Sequence, residues 1–566
     1  MDRGMDQRRP PLSEILLGVR HGLLLVPLLF LAVFFFYPLT AILAIGLAPE
    51  GTIDLSSFLE LLSSDYYRRI IGFTAGQATL STMLTLVLAL PGAYVFARYE
   101  FPLKRTLLSL SVLPFILPTL VVSAAFTALL GRTGVINTLA ASMLGLTEPP
   151  IALERTFAII LIAHVFYNYP LALRMISSFW VNQSPQIEEA ARLLGCHGWR
   201  LWWFVRIPLL RPIILASGLL IFVFTFTSFG VILILGGPRF ATLEVEIFRQ
   251  TTSYLNLPMA AALSLIQMGI LFALMAVYAR LQNQIASELR SSRSVSRKPN
   301  RFSQKLMVAA NLGFMGLLLF VPLAALVIRS LTLGENRFTL RYYTALAHNP
   351  RGSILFVPPI EAVGNSLFFA TGTMLVAVLL GLLTAQLLTQ QWRIARWLDP
   401  LFMLPLAASA ATLGFGYIVA LDEPPLNLRT SPVLLLIAHT LVALPFVVRS
   451  VLPAMRSIPA HIHEAAKTLG ASPWQVWRLV DLPLIGRGLA VGATFAFTVS
   501  MGEFGASVFV ARPEIPTIPI AIYRLLGQPG VVNYGQALAL SVLLMIVCGL
   551  SLSIIEQLRL TGVGEF

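Results

Sequence analysis

Long apolar stretches separated by short polar segments dominate this chain. A transmembrane helix needs about 20 mostly apolar residues, and twelve stretches reach that length. Numbered as spans 1 to 12 in chain order, they are residues 22–47, 70–97, 106–130, 156–181, 212–236, 258–280, 306–329, 363–390, 397–421, 431–455, 488–511 and 534–556. The pattern predicts an all-α polytopic membrane protein with about 12 transmembrane helices.

A polar motif occurs twice at a fixed offset of 275 residues, each time in the loop between two apolar stretches. The first copy consists of Glu189, Ala190, Ala191, Gly195 and Pro208, and the second of Glu464, Ala465, Ala466, Gly470 and Pro483. The same offset relates His164 to His439 and Phe229 to Phe504. A shared offset over such a length indicates an internal duplication.

Earlier positions repeat at a larger offset: Pro114 matches Pro405, 291 residues later. The difference of 16 residues fits a longer loop in the first half, between Gly131 and Arg155. We assign residues 1–281 to a first repeat with spans 1–6, residues 282–305 to a basic linker, and residues 306–566 to a second repeat with spans 7–12. Six spans in each half make the repeats parallel in the membrane.

Charge predicts the orientation. The chain has 566 residues, is 57% hydrophobic and only 12% charged, and carries a net charge of +14. Lys and Arg are concentrated in the termini, the linker and the loops after spans 2, 4, 8 and 10, so the positive-inside rule places these segments in the cytoplasm. The positive charge thus reflects topology, and we expect no nucleic-acid partner. Only two cysteines occur, Cys196 and Cys548, and no metal-ligand spacing is present.

The motif loops have the local signals of short helices. Ser184 followed by Pro185 is typical of an N-cap and first helical position, and Pro459 takes a similar place in the second copy. Gly195 and Gly470 fit the left-handed position that ends a helix. Two adjacent alanines leave a narrow surface that fits a groove of another protein; an ordinary loop with alanine chosen for helix propensity is the alternative.

The motif resembles the signature loop of permease subunits of binding-protein-dependent ABC importers, and two copies in one chain resemble the fused permeases of the ferric iron and thiamine importers. The resemblance implies the type I importer permease fold, with each motif loop docked on an ABC ATPase subunit, two copies in all. It also implies an extracytoplasmic solute-binding protein, a small-molecule or ion substrate, and a place in the bacterial inner membrane. The chain itself would bind no cofactor, since ATP and Mg belong to the ATPase.

No Gly-Lys pair occurs anywhere, so a phosphate-binding loop of the Gly-x-x-x-x-Gly-Lys-Ser/Thr type is absent from the sequence. We therefore expect a transport permease and not an enzyme. Ferric iron is the first choice of solute and thiamine the second. The main alternative is a secondary active transporter of the twelve-helix type, which usually needs several buried carboxylates.

Three residues are candidates for the translocation pathway. Glu503 falls inside predicted span 11, and an ionisable residue at that depth suggests function; pairing with a neighbouring helix near Gly502 and Gly505 is the structural alternative. Its equivalent in the first half is Ser228, and Asn168 is a polar residue inside span 4. We expect His164 and His439 to be hydrogen-bonded packing residues.

Overall fold

The fold comes from a computed structural model, which describes Gly22, Pro424 and residues 24–146, 148–288, 296–333, 337–348, 357–390, 395–422 and 426–560. Two predicted features lie partly or wholly outside the described residues. They are the cytoplasmic termini and the basic linker 282–305, of which residues 289–295 are not described. Within the described part, eleven helices are long and apolar enough to cross a membrane, and one bent helix pair raises the number to as many as twelve. The prediction of a polytopic all-α protein is confirmed.

The spans keep the predicted order. They are Leu24–Leu47, Asp65–Arg98, Thr119–Leu144, Phe157–Val181, Gly198–Phe226, Leu257–Gln282, Phe302–Ser330, Pro359–Thr389, the bent pair Leu398–Leu406 with Ala410–Ala420, Val433–Arg456, Pro473–Gly502 and Val531–Leu558. We keep the numbers 1 to 12 for them.

Shorter elements connect the spans. The additional helices are Ser56–Ser63, Lys104–Leu110, Leu113–Ile116, Pro185–Leu193, Leu243–Thr252, Arg341–Ala345, Ala460–Thr468, Ser507–Val510 and Ile518–Gly527. Two short antiparallel strands, Thr332–Leu333 and Arg337–Phe338, follow span 7. Helix Leu257–Glu288 continues beyond residue 281, and the proposed repeat boundaries stay a prediction.

The apolar pattern predicted residues 106–130 and 397–421 as continuous spans, but each of these stretches is broken in the structure. In the first half the chain is extended at Leu117 and Pro118 before a helix restarts at Thr119. In the second half the axis bends by 96° and the helix restarts after Ser409, whose side chain accepts a hydrogen bond from the N–H of Thr412. Hydropathy cannot detect these breaks because the residues around them remain apolar. The predicted insertion between Gly131 and Arg155 contains helix Val135–Leu144, which forms the second part of span 3.

Spans 5 and 11 begin and end earlier than predicted, at Gly198–Phe226 and Pro473–Gly502 instead of 212–236 and 488–511. Each starts inside its motif loop and passes through one π-helical turn, at Trp202–Arg206 and Trp477–Asp481. Since the helices start earlier, they also end earlier, which leaves Ser228 and Glu503 in breaks and not inside helices.

The halves exchange their first spans. Span 1 packs on span 6 of its own half but also on span 9 of the other half, and span 7 packs on spans 2 and 3 of the first half as well as on span 12. Glycine permits one of these approaches: a Cβ at Gly416 in span 9 would lie 3.1 Å from Ile42 and from Pro38 in span 1. Residues of both halves therefore form the largest hydrophobic core.

Candidate functional site

The first motif loop has the helix that the sequence predicts. Helix Pro185–Leu193 starts after Ser184, whose Oγ accepts a hydrogen bond from the N–H of Gln186 at 3.4 Å. It ends at Gly195, where φ is +83°. The N–H of Cys196 donates to the Ala191 carbonyl at 2.9 Å and that of Gly195 to the Arg192 carbonyl at 3.0 Å. This pair of bonds is the Schellman motif, which needs a left-handed residue at the glycine position.

The second motif loop repeats this geometry with a different start. Helix Ala460–Thr468 has Pro459 as its N-cap, without a side-chain bond. The same Schellman bonds end it, from Ala471 to Ala466 at 3.1 Å and from Gly470 to Lys467 at 2.9 Å, with φ of +76° at the glycine. A proline N-cap supplies no side-chain acceptor, although its carbonyl accepts from the N–H of Ile462 at 3.1 Å. The expectation of an equivalent start for this helix is therefore only partly met.

Both loops expose the motif. Glu189, Ala190, Glu464 and Ala465 are exposed, and Ala191 and Ala466 are half-buried. Large apolar side chains beside them are exposed as well: Leu193, Leu194, Trp199, Trp203, Phe204, Leu469, Trp474 and Leu479. Pro208 and Pro483 lie directly after the π-helical turns of spans 5 and 11. Exposed apolar groups of this size mark an interaction surface; the coupling role of the ten motif residues stays a prediction.

A buried ion-pair cluster that the sequence analysis missed holds the first loop in place. Glu188 is 4% exposed, next to the exposed Glu189. Its carboxylate pairs with Arg98 at the end of span 2, and with Arg206 in the π-helical turn at 3.2 Å. The Arg206 guanidinium also lies over the rings of Tyr94 and Trp202, at 4.6 and 4.8 Å. Burial raises the pKa of Glu188, but the two arginines outweigh it and hold that pKa below its usual value of 4.5.

The second loop contains an equivalent side-chain contact, with the acidic residue on the π-helical turn instead of the motif helix. His463 occupies the position of Glu188 and Asp481 that of Arg206, each at the 275-residue offset. His463 Nε2 lies 2.6 Å from Asp481 Oδ1. Both halves therefore join the motif helix to the π-helical turn by one side-chain pair, although no residue type is shared. Comparison of equivalent positions for charge complementarity, and not for identity, would have found this pair from the sequence.

The predicted pathway residues lie in two separate hydrogen-bonded groups. In the first half, His164 Nε2 is 2.8 Å from Ser228 Oγ, and Asn168 donates to the carbonyl of His164. In the second half, Glu503 accepts from the N–H groups of Ala506 and Ser507, both at 2.9 Å, and lies 3.5 Å from His439 Nε2. These bonds support the structural alternative for Glu503, and both histidines are hydrogen-bonded as expected. The pathway assignment stays a prediction.

Two further carboxyl groups are buried in the structure, whereas the sequence pattern indicated only Glu503 as an ionisable residue at membrane depth. Glu244 and Glu246 are 1% and 0% exposed on helix Leu243–Thr252. Glu246 accepts from Tyr66 Oη at 2.9 Å and from Gln250 at 2.7 Å. Glu244 accepts from Gln267, and its Oε2 has no hydrogen-bond partner among the described residues. The sequence carries little signal for them, because a helix of 10 residues is too short to appear as a span.

Comparison with known proteins gives consistent matches. A family model described as the binding-protein-dependent transport system inner membrane component matches residues 88–287 and 377–558, once in each half. The thiamine transport system permease protein ThiP of Salmonella typhimurium is 29% identical over 533 residues, which cover 92% of this chain and 94% of the relative. ThiP of Escherichia coli is 28% identical, with 87% and 89% covered. A putative 2-aminoethylphosphonate transport system permease protein, PhnV of Salmonella paratyphi A, is 29% identical over 42% of this chain and 88% of its own length.

Proposed function

Because this chain belongs to the family of inner membrane components of binding-protein-dependent transport systems, we propose that it is the fused permease of an importer for thiamine. The chain is an ABC importer permease with two copies of the family domain. The finer statements, on the solute, the docking sites and the orientation, are the proposal.

The observation that supports thiamine as the solute is the similarity, over nearly the whole length, to permeases named for thiamine transport. Those relatives match both halves and the linker region together, whereas the aminoethylphosphonate permease matches less than half of this chain. The preference for ferric iron that came from the family resemblance has no support among these relatives, and the secondary transporter is not favoured.

The motif loops are proposed as the two docking sites for ATPase subunits. Their shared Schellman ends fix the direction in which each loop leaves its helix, and their exposed apolar side chains would be buried by a partner groove. Ion pairing of Glu188 with Arg98 and Arg206 connects the first loop to spans 2 and 5. A push on the loop would therefore move those spans, since packed helices shift as rigid bodies.

The proposed orientation follows from this docking. ATPase subunits act in the cytoplasm, so both motif loops face the cytoplasm and the breaks that hold Ser228 and Glu503 lie towards the opposite side. The excess of Lys and Arg in the same loops supports this direction.

The test is ATPase activity of the reconstituted permease with its ATPase and binding protein, when thiamine, ferric iron or 2-aminoethylphosphonate is supplied. We expect stimulation by thiamine alone, with uptake of labelled thiamine into the vesicles. Stimulation by one of the other two solutes instead would refute the thiamine proposal. Uptake that continues with a hydrolysis-deficient ATPase would contradict the coupled importer.

A further inference from the structure

Two equivalent phenylalanines meet between the halves. Phe229 and Phe504 occupy the same place in the two repeats, and their rings are stacked with centroids 5.5 Å apart and planes 22° apart. In a structure with approximate two-fold symmetry, two equivalent side chains can touch only where both lie beside the symmetry axis. The ring pair therefore marks the pseudo-two-fold axis, and in transporters built from repeats the solute passes at the repeat interface.

The pair belongs to a row of four rings. Phe248 packs against Phe229 at 5.5 Å, and Tyr523 packs against Phe504 at 5.4 Å. Phe248 and Tyr523 are again equivalent at the 275-residue offset. Phe229 is 7% exposed and Phe504 is 3% exposed. The four rings thus fill the interface between the two halves at the ends of spans 5 and 11.

Close backbone packing fixes the segments that carry the two rings. A Cβ at Gly230 would lie 2.3 Å from Thr119 Oγ1, and one at Gly502 would lie 2.9 Å from Pro118 Cγ. Thr119 and Pro118 lie at the break that precedes span 3. Movement of span 3 would therefore displace the ring pair, because these contacts leave no free space.

Two buried carboxyl groups lie on the segments that carry the rings. Glu503 precedes Phe504, and Glu244 lies four residues before Phe248, on the same face of its helix. Both carboxylates are buried, and within the described residues no Lys or Arg lies within 4 Å of either. The nearest candidate cation for Glu503 is the imidazole of His439 at 3.5 Å. Buried carboxyl groups without a Lys or Arg beside them favour a positively charged solute.

We propose that the Phe229–Phe504 pair is a stacking gate for an aromatic cation: the pair separates during transport and holds the positively charged ring of the solute between its ring faces. A cation over an aromatic face is attracted by the ring quadrupole, most strongly where water is excluded. The inference rests on the proposed thiamine function and names the residues that would recognise this class of solute.

Ring removal tests the stacking part. In the reconstituted system, Phe504→Leu keeps an apolar side chain of similar size but removes the ring, and we expect thiamine uptake to fall at least about fivefold. Phe504→Trp should retain uptake. Phe126→Leu is the matched control, because Phe126 forms a buried ring pair with Phe166 at 5.4 Å within the first half alone. Equal uptake in Phe504→Leu and wild type, or equal loss in Phe126→Leu, would overturn the stacking role.

Cross-linking tests the axial position without reference to the solute. Phe229→Cys and Phe504→Cys are combined with Cys196→Ser and Cys548→Ser, and a protease site is placed in residues 282–305. We expect a short thiol cross-linker to keep the cleaved halves joined and to abolish stimulation of the ATPase by the binding protein. Halves that separate, or a joined permease that is still stimulated, would overturn the gate. If the wild type does not transport thiamine, the thiamine proposal fails alone and this experiment still decides the gate.

Discussion

Replacement of Glu188 by glutamine should release the first motif loop from the membrane helices. The substitution keeps the size of the side chain but removes the charge that pairs with Arg98 and Arg206. Removal of one partner from a buried ion pair costs about 3–5 kcal/mol, because the remaining charge is left without compensation. The Arg98 side chain is 17% exposed, so we take the lower limit, about 3 kcal/mol.

A change of about 3 kcal/mol corresponds to roughly a hundredfold shift in the equilibrium between the docked and the released loop. Amide hydrogen exchange in helix Pro185–Leu193 reports that equilibrium, because local opening limits exchange. We expect protection of this helix to fall by that factor in Glu188→Gln, and stimulation of the ATPase to fall with it.

Glu189→Gln is the matched control. Glu189 is exposed, so its replacement should leave amide protection unchanged and weaken only the docking of the ATPase. The reasoning would be refuted if Glu188→Gln exchanged like the wild type, or if Glu189→Gln lost as much protection.

Acid should reproduce the effect in the wild type. The arginines hold the pKa of Glu188 below 4.5 in the folded loop, so its stabilising contribution is complete above pH 4.5. That contribution is lost as the pH falls through the lower folded-state pKa. Hydrogen exchange at decreasing pH, corrected for the intrinsic rate, should show this loss in the wild type and not in Glu188→Gln.

Three further outcomes are expected. Gly470→Ala should destabilise the end of the second motif helix by about 1 kcal/mol, because φ is +76° there, and should reduce ATPase stimulation. Gly486→Ala is the control, because a Cβ at that position meets nothing within 4 Å, and it should leave stimulation unchanged. Equal ATPase stimulation in the two variants would contradict the need for a left-handed residue at Gly470. In Cys548→Ser permease, a membrane-impermeant thiol reagent should label Cys196 only from the cytoplasmic side, and labelling from outside would invert the proposed orientation. Asp481→Asn should lower amide protection of helix Ala460–Thr468, but less than Glu188→Gln affects the first loop, because only one pair is lost.

Local chemistry explains which parts of the structure could be predicted. Apolar length predicts the spans, and the glycines predict the helix ends at Gly195 and Gly470, because both signals act within a few residues. Apolar length alone missed the break before Thr119, because the segment remains apolar. Pro118 is the local signal for it, since the residue before a proline is biased away from the helical conformation, and Leu117 is extended with ψ of 138°.

The ion-pair cluster around Glu188 and its counterpart in the second loop could not be predicted for another reason. Residue identity between the repeats reveals Glu189, because it matches Glu464. Its neighbour Glu188 faces His463 in the alignment, and Arg206 faces Asp481. What the repeats share at these positions is a side-chain contact between the motif helix and the π-helical turn, and that contact appears only when the partners are known from the fold.

The exchange of first spans has a consequence for biogenesis. Span 1 leaves the ribosome first, but part of its buried surface, including Phe35 and Ile42, belongs to an interface with the second half. Until span 9 has been synthesised, that surface must face lipid, the insertion machinery or a chaperone. The nascent first half is therefore an incomplete product, and a chain truncated near the linker should be recognised and degraded by membrane quality control.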